Sequence, residues 1–431
     1  MYKGKSKDAM QPIAFASLFS CTPKDVEVVF YDEKVERLPD NIECDLAAIS
    51  IDTFNAKRGY EISNDLMARG IKTVIGGFHA TFLPDETLAF CDSVAIGEGE
   101  FVWPEIVEDF RKNELKKKYY SSNDNITSIH FDRTIFKGKK YNKIYPIQFS
   151  RGCRYMCEFC SIHAFFGNSL KCRSIDSVVN EIKDINKKLF FFVDDNLFYS
   201  EKVVRELLVK IKPLKVKWIC QISIDIAKND ELLSLMGEAG CICVLIGFES
   251  LDKRNLTQMG KSGNLKANEY KNIIDKIHKN GIMVYAMFVF GYDFDNKESF
   301  DECVKFAIEN EVLIANFNPL IPTPGTRLYD RLESEGRLIF DKWWLDDDFK
   351  YGDSAFYPKA LTPQELKDGC YKARMNFYSY KSIFKRLFNR DANSKNIYML
   401  SVYLLANLIS RWEIKAKQGK KLGVHKNMKG E

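Results

Sequence analysis

Ten short runs rich in β-branched, aromatic or aliphatic residues, most of them separated by helix-periodic segments, constrain this 431-residue chain more than any other feature. In the first quarter, "VEVVFYD" (26–32), "LAAISID" (46–52), "KTVIGG" (72–77) and "SVAIGEG" (93–99) read as strands. Between them, "AKRGYEISNDLMARG" carries apolar residues at helical spacing and stops at Gly70. From residue 144 six further runs follow: "IYPIQFS" (144–150), "LFFFVDD" (189–195), "KWICQIS" (217–223), "CICVLIGF" (241–248), "MVYAMFVFG" (283–291) and "IANFNPL" (314–320). Helical stretches at 176–188, 201–211, 230–239, 265–280 and 297–310 separate them. A chain that returns through a helix re-enters its sheet in the same direction, so the fold class is α/β with parallel sheets. The six-run array predicts a partial (βα)6 TIM-like barrel, whose chemistry belongs at the C-terminal strand ends.

Residues 111–143 are polar and aperiodic, with a lysine run at 116–118, and read as a linker. After "TPGTRLYDRLESEGRL" the alternation stops. The expected organisation is a first domain over 1–115, a linker over 116–143, the barrel over 144–335 and a helical C-terminal region over 336–431.

A content of 45% hydrophobic and 29% charged residues is that of a globular protein, and a net charge of +5 is too small to argue for nucleic acid. Twelve cysteines, with no apolar run in the opening "MYKGKSKDAM", fit a reducing cytoplasm better than a disulfide-stapled fold. The longest apolar stretch, "IYMLSVYLLANLISRW" (397–412), is interrupted by Arg411 and falls short of the roughly 18 to 20 residues that a spanning helix needs.

The stretch "FSRGCRYMCEFCSIH" (149–163) sets Cys153, Cys157 and Cys160 on a loop directly after the apolar run "IYPIQ". Structural filler is the ready reading of Cys220, Cys241, Cys243 and Cys303 inside strands and helices. Three thiols on one flexible loop instead suit a soft metal centre. With His163 they can form a tetrahedral zinc site. With three ligands only, a four-iron cluster keeps one iron open to a substrate or cosubstrate.

Cys-x-x-x-Cys-x-x-Cys at the end of a barrel's first strand resembles the radical S-adenosylmethionine superfamily, and Arg151 to Cys160 match its core loop. The resemblance implies a 4Fe-4S cluster on Cys153, Cys157 and Cys160, with S-adenosylmethionine on the open iron and a 5′-deoxyadenosyl radical as the reactive species. It further implies S-adenosylmethionine contacts at Asp194, Asp195 and Asn196 in "FFVDDNLF", at Gln221, Ser223 and Asp225 in "QISIDIA", and at Glu249 in "LIGFES". Taken singly, each of these carboxylates reads equally well as a solvated loop residue or a helix cap.

"IGGFHATFLPDE" (75–86) and "AIGEGEFVWPEIVEDF" (95–110) resemble the N-terminal cobalamin-binding domain, a Rossmann-like unit, found in one large class of these enzymes. Gly76, Gly77, Gly97, Glu98 and Gly99 are then floor loops for the corrin or its nucleotide tail, and Thr53, with Ser50 and Phe54, faces the corrin. The alternative for this loop is a helix start capped by Thr53 or Asn55. There is no Asp-x-His-x-x-Gly sequence, and His79, the one nearby histidine, is a cobalt ligand or a loop hydrogen-bonder. "QPIAFASL" reads as the first helix, so the usual preceding strand is missing and the sheet is expected to be short.

The resemblance implies a cobalamin-dependent radical enzyme acting on an unactivated carbon, foremost a methyltransferase, served by an electron donor such as flavodoxin or ferredoxin. Cyclisation, rearrangement and oxidation use the same cofactors. A zinc or iron-sulfur sensor and a cobalamin carrier are the non-enzymatic readings. No catalytic acid or base stands out. The substrate is expected to be a small or lipid-like molecule, with "WWLDDDFKYGDSAFY" (343–357) capping the barrel mouth. The apolar 397–412 helix and the lysine-rich tail after it suit either peripheral contact with an anionic membrane or a packed terminal helix with a solvated tail.

Overall fold

The computed structural model describes residues 9–121, 125–197, 200–261 and 267–422. The basic tail from residue 423, part of the expected membrane-facing segment, lies outside the described residues.

Four parallel strands, β1 (Leu46–Ser50), β2 (Lys72–Gly76), β3 (Ser93–Ile96) and β4 (Lys118–Tyr120), pair in chain order. Helix α1 (Ile13–Cys21) precedes them, α2 (Ala56–Ala68) joins β1 to β2, α3 (Phe78–Phe82) and α4 (Pro84–Leu88) join β2 to β3, and α5 (Gly99–Arg111) leads to β4. The stripe Ala56, Tyr60, Ser63 and Leu66 buries one face of α2, as its helical spacing requires.

Two expectations change here. Residues 26–32 are not a strand, because β1 is the last strand on that edge and no described strand pairs with 26–32 to complete a ladder. Val29 is exposed, while Phe30 packs on Phe15 and Phe136 with ring centroids 4.8 and 5.7 Å away. The segment read as a linker is largely packed. It supplies β4, whose Tyr119 is buried, and Ile126, Ile129, Phe131 and Phe136 form a small core with Ala16 of α1. Single apolar residues in polar surroundings leave no periodic signal, which is why the sequence hides this core.

The second sheet has six parallel strands in strict chain order: β5 (Tyr145–Ile147), β8 (Leu189–Phe192), β9 (Lys217–Ile222), β10 (Cys241–Glu249), β11 (Met283–Phe290) and β12 (Ile314–Pro319). Strands β5 and β12 do not pair, so the array stays open. A short antiparallel pair, β6 (Ser150–Arg151) and β7 (Lys171–Cys172), brackets the cysteine loop. The helices are α6 (Ser161–Phe166), α7 (Ile175–Ile185), α8 (Glu201–Ile211), α9 (Asp230–Glu238), α10 (Lys253–Gln258), α11 (Ala267–Lys279), α12 (Lys297–Glu309) and α13 (Arg327–Ser334).

The two faces of this sheet differ. Val244, Ile246, Phe248, Ala286, Phe288, Ala315 and Phe317 are fully buried in one core with Leu207, Leu233, Ile274 and Ala307 of the surrounding helices. The alternate positions Leu245, Gly247, Glu249, Tyr285, Met287, Val289, Asn316 and Asn318 stay only partly buried and line the other face. Near the strand starts that second face is closed by α15 (Tyr380–Leu387) and α16 (Ile397–Lys417), which follow α14 (Pro363–Phe377). Ile383, Met399 and Tyr403 pack there against Cys243 and Met283.

Arg386 of α15 is wholly buried and, among the described residues, has no carboxylate partner. It donates to the carbonyls of Val312, Leu313 and Phe377 at 2.8, 3.0 and 3.1 Å and to Asn407 Oδ1 at 2.9 Å, with its guanidinium 3.8 Å from the Phe377 ring centroid. Arg386→Ala removes the donor to the Val312 and Phe377 carbonyls and to Asn407 Oδ1, while the Leu313 carbonyl keeps the Asn407 amide at 3.1 Å, and we expect a stability loss of about 3 kcal/mol in chemical denaturation. A loss below about 1 kcal/mol would mean that other donors reach them.

Candidate functional site

The cysteine loop begins where β5 gives way to β6, and two carboxylates at the end of β8 hold its base. Asp194 is buried and accepts the amide of Phe149 at 3.1 Å, the hydroxyl of Ser150 at 2.5 Å and the amide of Ser150. Asp195 accepts the amide of Gly152 at 2.9 Å. Burial pushes the Asp194 carboxyl up to about 7 and that of Asp195 up to about 6, against the pull of these amides. Gly152 has φ +87°, and a Cβ there would strike the Ser169 carbonyl oxygen, so the turn into the loop requires glycine.

Cys153, Cys157 and Cys160 are all partly buried and free. Burial pushes the Cys157 thiol up to about 11; Lys261 opposes this, while Cys160, Glu249 and Cys153 add to it. Cys160 is the N-cap of α6. Its thiol is raised by burial but faces the backbone N–H groups of His163 and Ile162, donors suited to a thiolate. His163 bonds through Nδ1 to the carbonyl of Gly167, the C-cap of its own helix, at 3.1 Å. Among the described residues no three Cys, His, Asp or Glu side chains converge as ligands of one ion would. A single zinc draws its sulfurs to about 2.3 Å from one point, whereas a four-iron cube spreads its thiolate ligands over separate irons. Three neighbouring thiols with a cation and amide donors around them fit the cluster.

The later strand ends bring polar groups to the same loop. Asn196 is buried, with Nδ2 3.2 Å from Ser223 Oγ and 3.9 Å from Cys153 Sγ. Gln221 donates to the Asp195 carbonyl at 3.0 Å. Asp225 accepts from Tyr155 at 2.7 Å and from Arg154, so it grips the cysteine loop itself. Burial raises the Asp225 carboxyl, but the Ser223 and Tyr155 bonds and the Arg154 charge outweigh it and hold it below its ordinary value. Glu249 ends β10 at a bulge, with φ +62°, a left-handed conformation rare outside glycine. Its Oε1 accepts from Lys261 at 2.9 Å, and Lys261 also donates to the Gly247 carbonyl. Burial lowers the Lys261 ammonium, yet Glu249 and Cys157 together lift it above its usual value.

Asp194 is therefore a positioning residue whose oxygens are taken by the chain. Around the first sheet the corrections are larger. His79 is fully buried, with Nδ1 3.2 Å from Thr53 Oγ1 and Nε2 3.1 Å from Glu86 Oε1, so both ring nitrogens are occupied and neither is free for cobalt. Thr53 is buried in that same contact. The Glu98 side chain is also buried, paired with Arg151 at 2.6 Å and with Lys171. Arg151 pairs as well with Glu100 at 2.6 Å, so the cysteine loop is tied to the start of α5. Gly76 ends β2; Gly77 has φ +105° and lies so close to the Ile51 carbonyl that no Cβ fits. Gly97 has φ +87° after β3, and Gly99 opens α5.

The two sheets meet at this end. Phe78 of α3 stacks on Phe165 of α6 with centroids 4.4 Å apart. The tryptophan pair expected to cap the barrel mouth instead straps the first sheet: Trp343 and Trp344 are buried with Ile51, Tyr60 and Ile75. Trp343 donates to the Pro322 carbonyl at 2.8 Å and Trp344 to Glu86 at 2.9 Å. Sequence reasoning missed Lys261, Lys171, Arg154 and Tyr155. The last two stand inside the cysteine motif, where their place was the available signal; Lys171 and Lys261 carry none.

Residues 147–307 match the Radical SAM superfamily. The chain is 32% identical to the bacteriochlorophyllide d C-12(1)-methyltransferase of Chlorobaculum tepidum over 396 residues, covering 89% of this chain and 86% of that one. Its fold is similar to that of the radical S-adenosylmethionine methyltransferase TsrM from Kitasatospora setae with cobalamin and a [4Fe-4S] cluster bound, at TM-score 0.63 and 12% identity over 96% of this chain and 98% of that one. It is likewise similar to the cobalamin-dependent S-adenosylmethionine radical enzyme OxsB, at TM-score 0.65 and 16% identity over 94% of this chain and 69% of that one. With the cysteine loop at the strand ends of a parallel sheet and a relative of this identity along most of its length, the chain belongs to the radical S-adenosylmethionine superfamily.

Proposed function

We propose that the chain is a cobalamin-dependent radical S-adenosylmethionine methyltransferase acting on an unactivated carbon of an apolar, weakly charged substrate. The observation that carries this reading is the cysteine loop set over a sheet face lined by Leu245, Tyr285, Met287, Val289, Asn316 and Asn318. Glu249 is the one acid of β10, β11 and β12 on that face, and Lys261 already neutralises it. Such a lining favours a largely hydrocarbon substrate oriented by a few amide and hydroxyl contacts. The methyltransferase relative, matched over most of both chains, favours methyl transfer over cyclisation, rearrangement or oxidation.

When bound, the cluster and S-adenosylmethionine supply the 5′-deoxyadenosyl radical, with an electron from a donor such as flavodoxin or ferredoxin, and methylcobalamin supplies the methyl group. Cys153, Cys157 and Cys160 hold the cluster, with Lys261 and the α6 amides offsetting thiolate charge. Asn196, Ser223, Gln221 and Glu249 are the polar groups next to the loop that orient S-adenosylmethionine, and Asp195 fixes the loop base. The first sheet is the Rossmann-like cobalamin domain, its Gly76–Gly77 and Gly97–Gly99 turns bringing backbone toward the cofactor. The stacked Phe78 and Phe165 close the joint between α3 and α6 beside the cysteine loop.

The test is anaerobic reconstitution with iron, sulfide and cobalamin, then reduction with S-adenosylmethionine. We expect about four irons per chain, 5′-deoxyadenosine, and transfer of a labelled methyl group to cobalamin. Cys157→Ala should lose the cluster absorbance and all 5′-deoxyadenosine; a variant that matches its parent sinks the radical reading.

Lys261→Met leaves Glu249 without its cation. Iron content should stay near the parent's, while 5′-deoxyadenosine formation falls about tenfold or more and recovers in part in Lys261→Arg. An unchanged rate would show that Glu249 needs no such partner.

A further inference from the structure

The C-terminal helices carry a second surface that the cofactor chemistry does not use. Helix α15 buries Ser382, Ile383 and Arg386 and turns Tyr380, Phe384 and Phe388 outward at four-residue intervals. Helix α16 buries Met399, Tyr403 and Asn407 and turns Leu404, Leu405, Leu408, Ile409 and Trp412 outward. Phe384 is 63% exposed, Leu405 60%, Trp412 64% and Ile397, at the start of α16, 86%. The exposed faces adjoin, since the Arg411 guanidinium lies 4.3 Å from the Tyr380 ring centroid and Tyr403 donates to the Ile383 carbonyl at 2.6 Å. A helix on a globular core ordinarily turns polar residues outward, and an apolar outer face this extended marks an interaction surface.

Charge selects the occupant. Residues 378–422 hold ten Lys and Arg against two Asp and Glu, in a chain whose totals, 64 and 59, nearly balance. Lys381, Lys385, Arg390, Lys395 and Lys415 are exposed around the apolar face, and Glu413 is paired with Lys417 at 3.0 Å. A second copy of the chain would bring one basic border against another. Among the described residues no helix is long and apolar enough to cross a membrane, so the helices would lie on a surface rather than span it. Tyrosine and tryptophan side chains beside lysines suit the headgroup layer.

We infer that α15 and α16 form a docking face for an anionic lipid bilayer, the apolar side chains entering the headgroup boundary and the basic border meeting lipid phosphates. The face covers the strand starts, away from the cysteine loop, so docking leaves the cofactor end open.

The test floats the full, anaerobically purified chain with vesicles of phosphatidylcholine alone and with about 30 mol% phosphatidylglycerol. We expect binding to the anionic vesicles only, largely lost in about 0.5 M salt. The triple variant Phe384→Ser, Leu405→Ser, Trp412→Ser should bind at least about tenfold less. Lys381→Gln, Lys385→Gln and Lys415→Gln, which leave the apolar residues intact, should each weaken binding about fivefold with an unchanged Tm. Absence of the parent chain from the anionic vesicles, or binding that neither set of variants alters, overturns the inference. A parent that sediments as a dimer without binding vesicles, and becomes monomeric in the triple variant, also overturns it and assigns the face to a second copy.

Discussion

Two adjacent carboxylates at the end of β8 set the geometry on which the site depends. Asp194 and Asp195 turn their oxygens toward the main chain at Phe149, Ser150 and Gly152, fixing the segment from which the cysteine loop departs. Burying such groups is costly, which the upward displacement of both carboxyls registers, and the amides they accept offset that cost. With the base held, the turn at Gly152 sends the chain into the loop, and Cys160 closes it as the cap of α6. The loop is thus short, anchored at both ends by β6 and β7, and placed over the partly open face of the sheet.

The same loop carries the joint between the two sheets. Arg151 stands between Glu98 and Glu100 on one side and the cysteines on the other, and Lys171 completes the group. Burial disfavours the Arg151 charge, yet the two carboxylates hold its pKa above the usual value. A buried ion group of this kind contributes less through net energy than through the specific seating it imposes, since any other docking leaves a charge unpaired. The aromatic contact of Phe78 with Phe165 and the tryptophan strap over β1 and β2 fill the space around it. The first sheet and the cysteine loop are therefore held in a defined relation.

Much of this was legible in the residues. Nine of the ten strand candidates, and the cysteine loop at a strand end, follow from period and spacing, because parallel strands covered by packed helices demand β-branched and aromatic runs and helical returns. The run 26–32 has the right composition but no neighbour to pair with, and composition says nothing of neighbours. Strand β4 and the small core around Phe136 lay in a polar stretch whose few apolar residues find their partners on elements distant in the chain, α1, α5 and Phe30 among them.

The candidate site divides in the same way. The sequence by itself determined the thiol set and the row of polar residues at successive strand ends, because these are local in the chain or repeat with the βα period. Only the tertiary structure decided which of those groups remain available. His79, Thr53 and Glu98 are consumed by Glu86, by one another and by Arg151, while Lys261 reaches Glu249 across a segment with no motif. A polar side chain's partner is set by distances between elements far apart in the sequence. Hydrogen bonds and ion pairs act over a few ångströms, so their allocation exists only once the elements have packed.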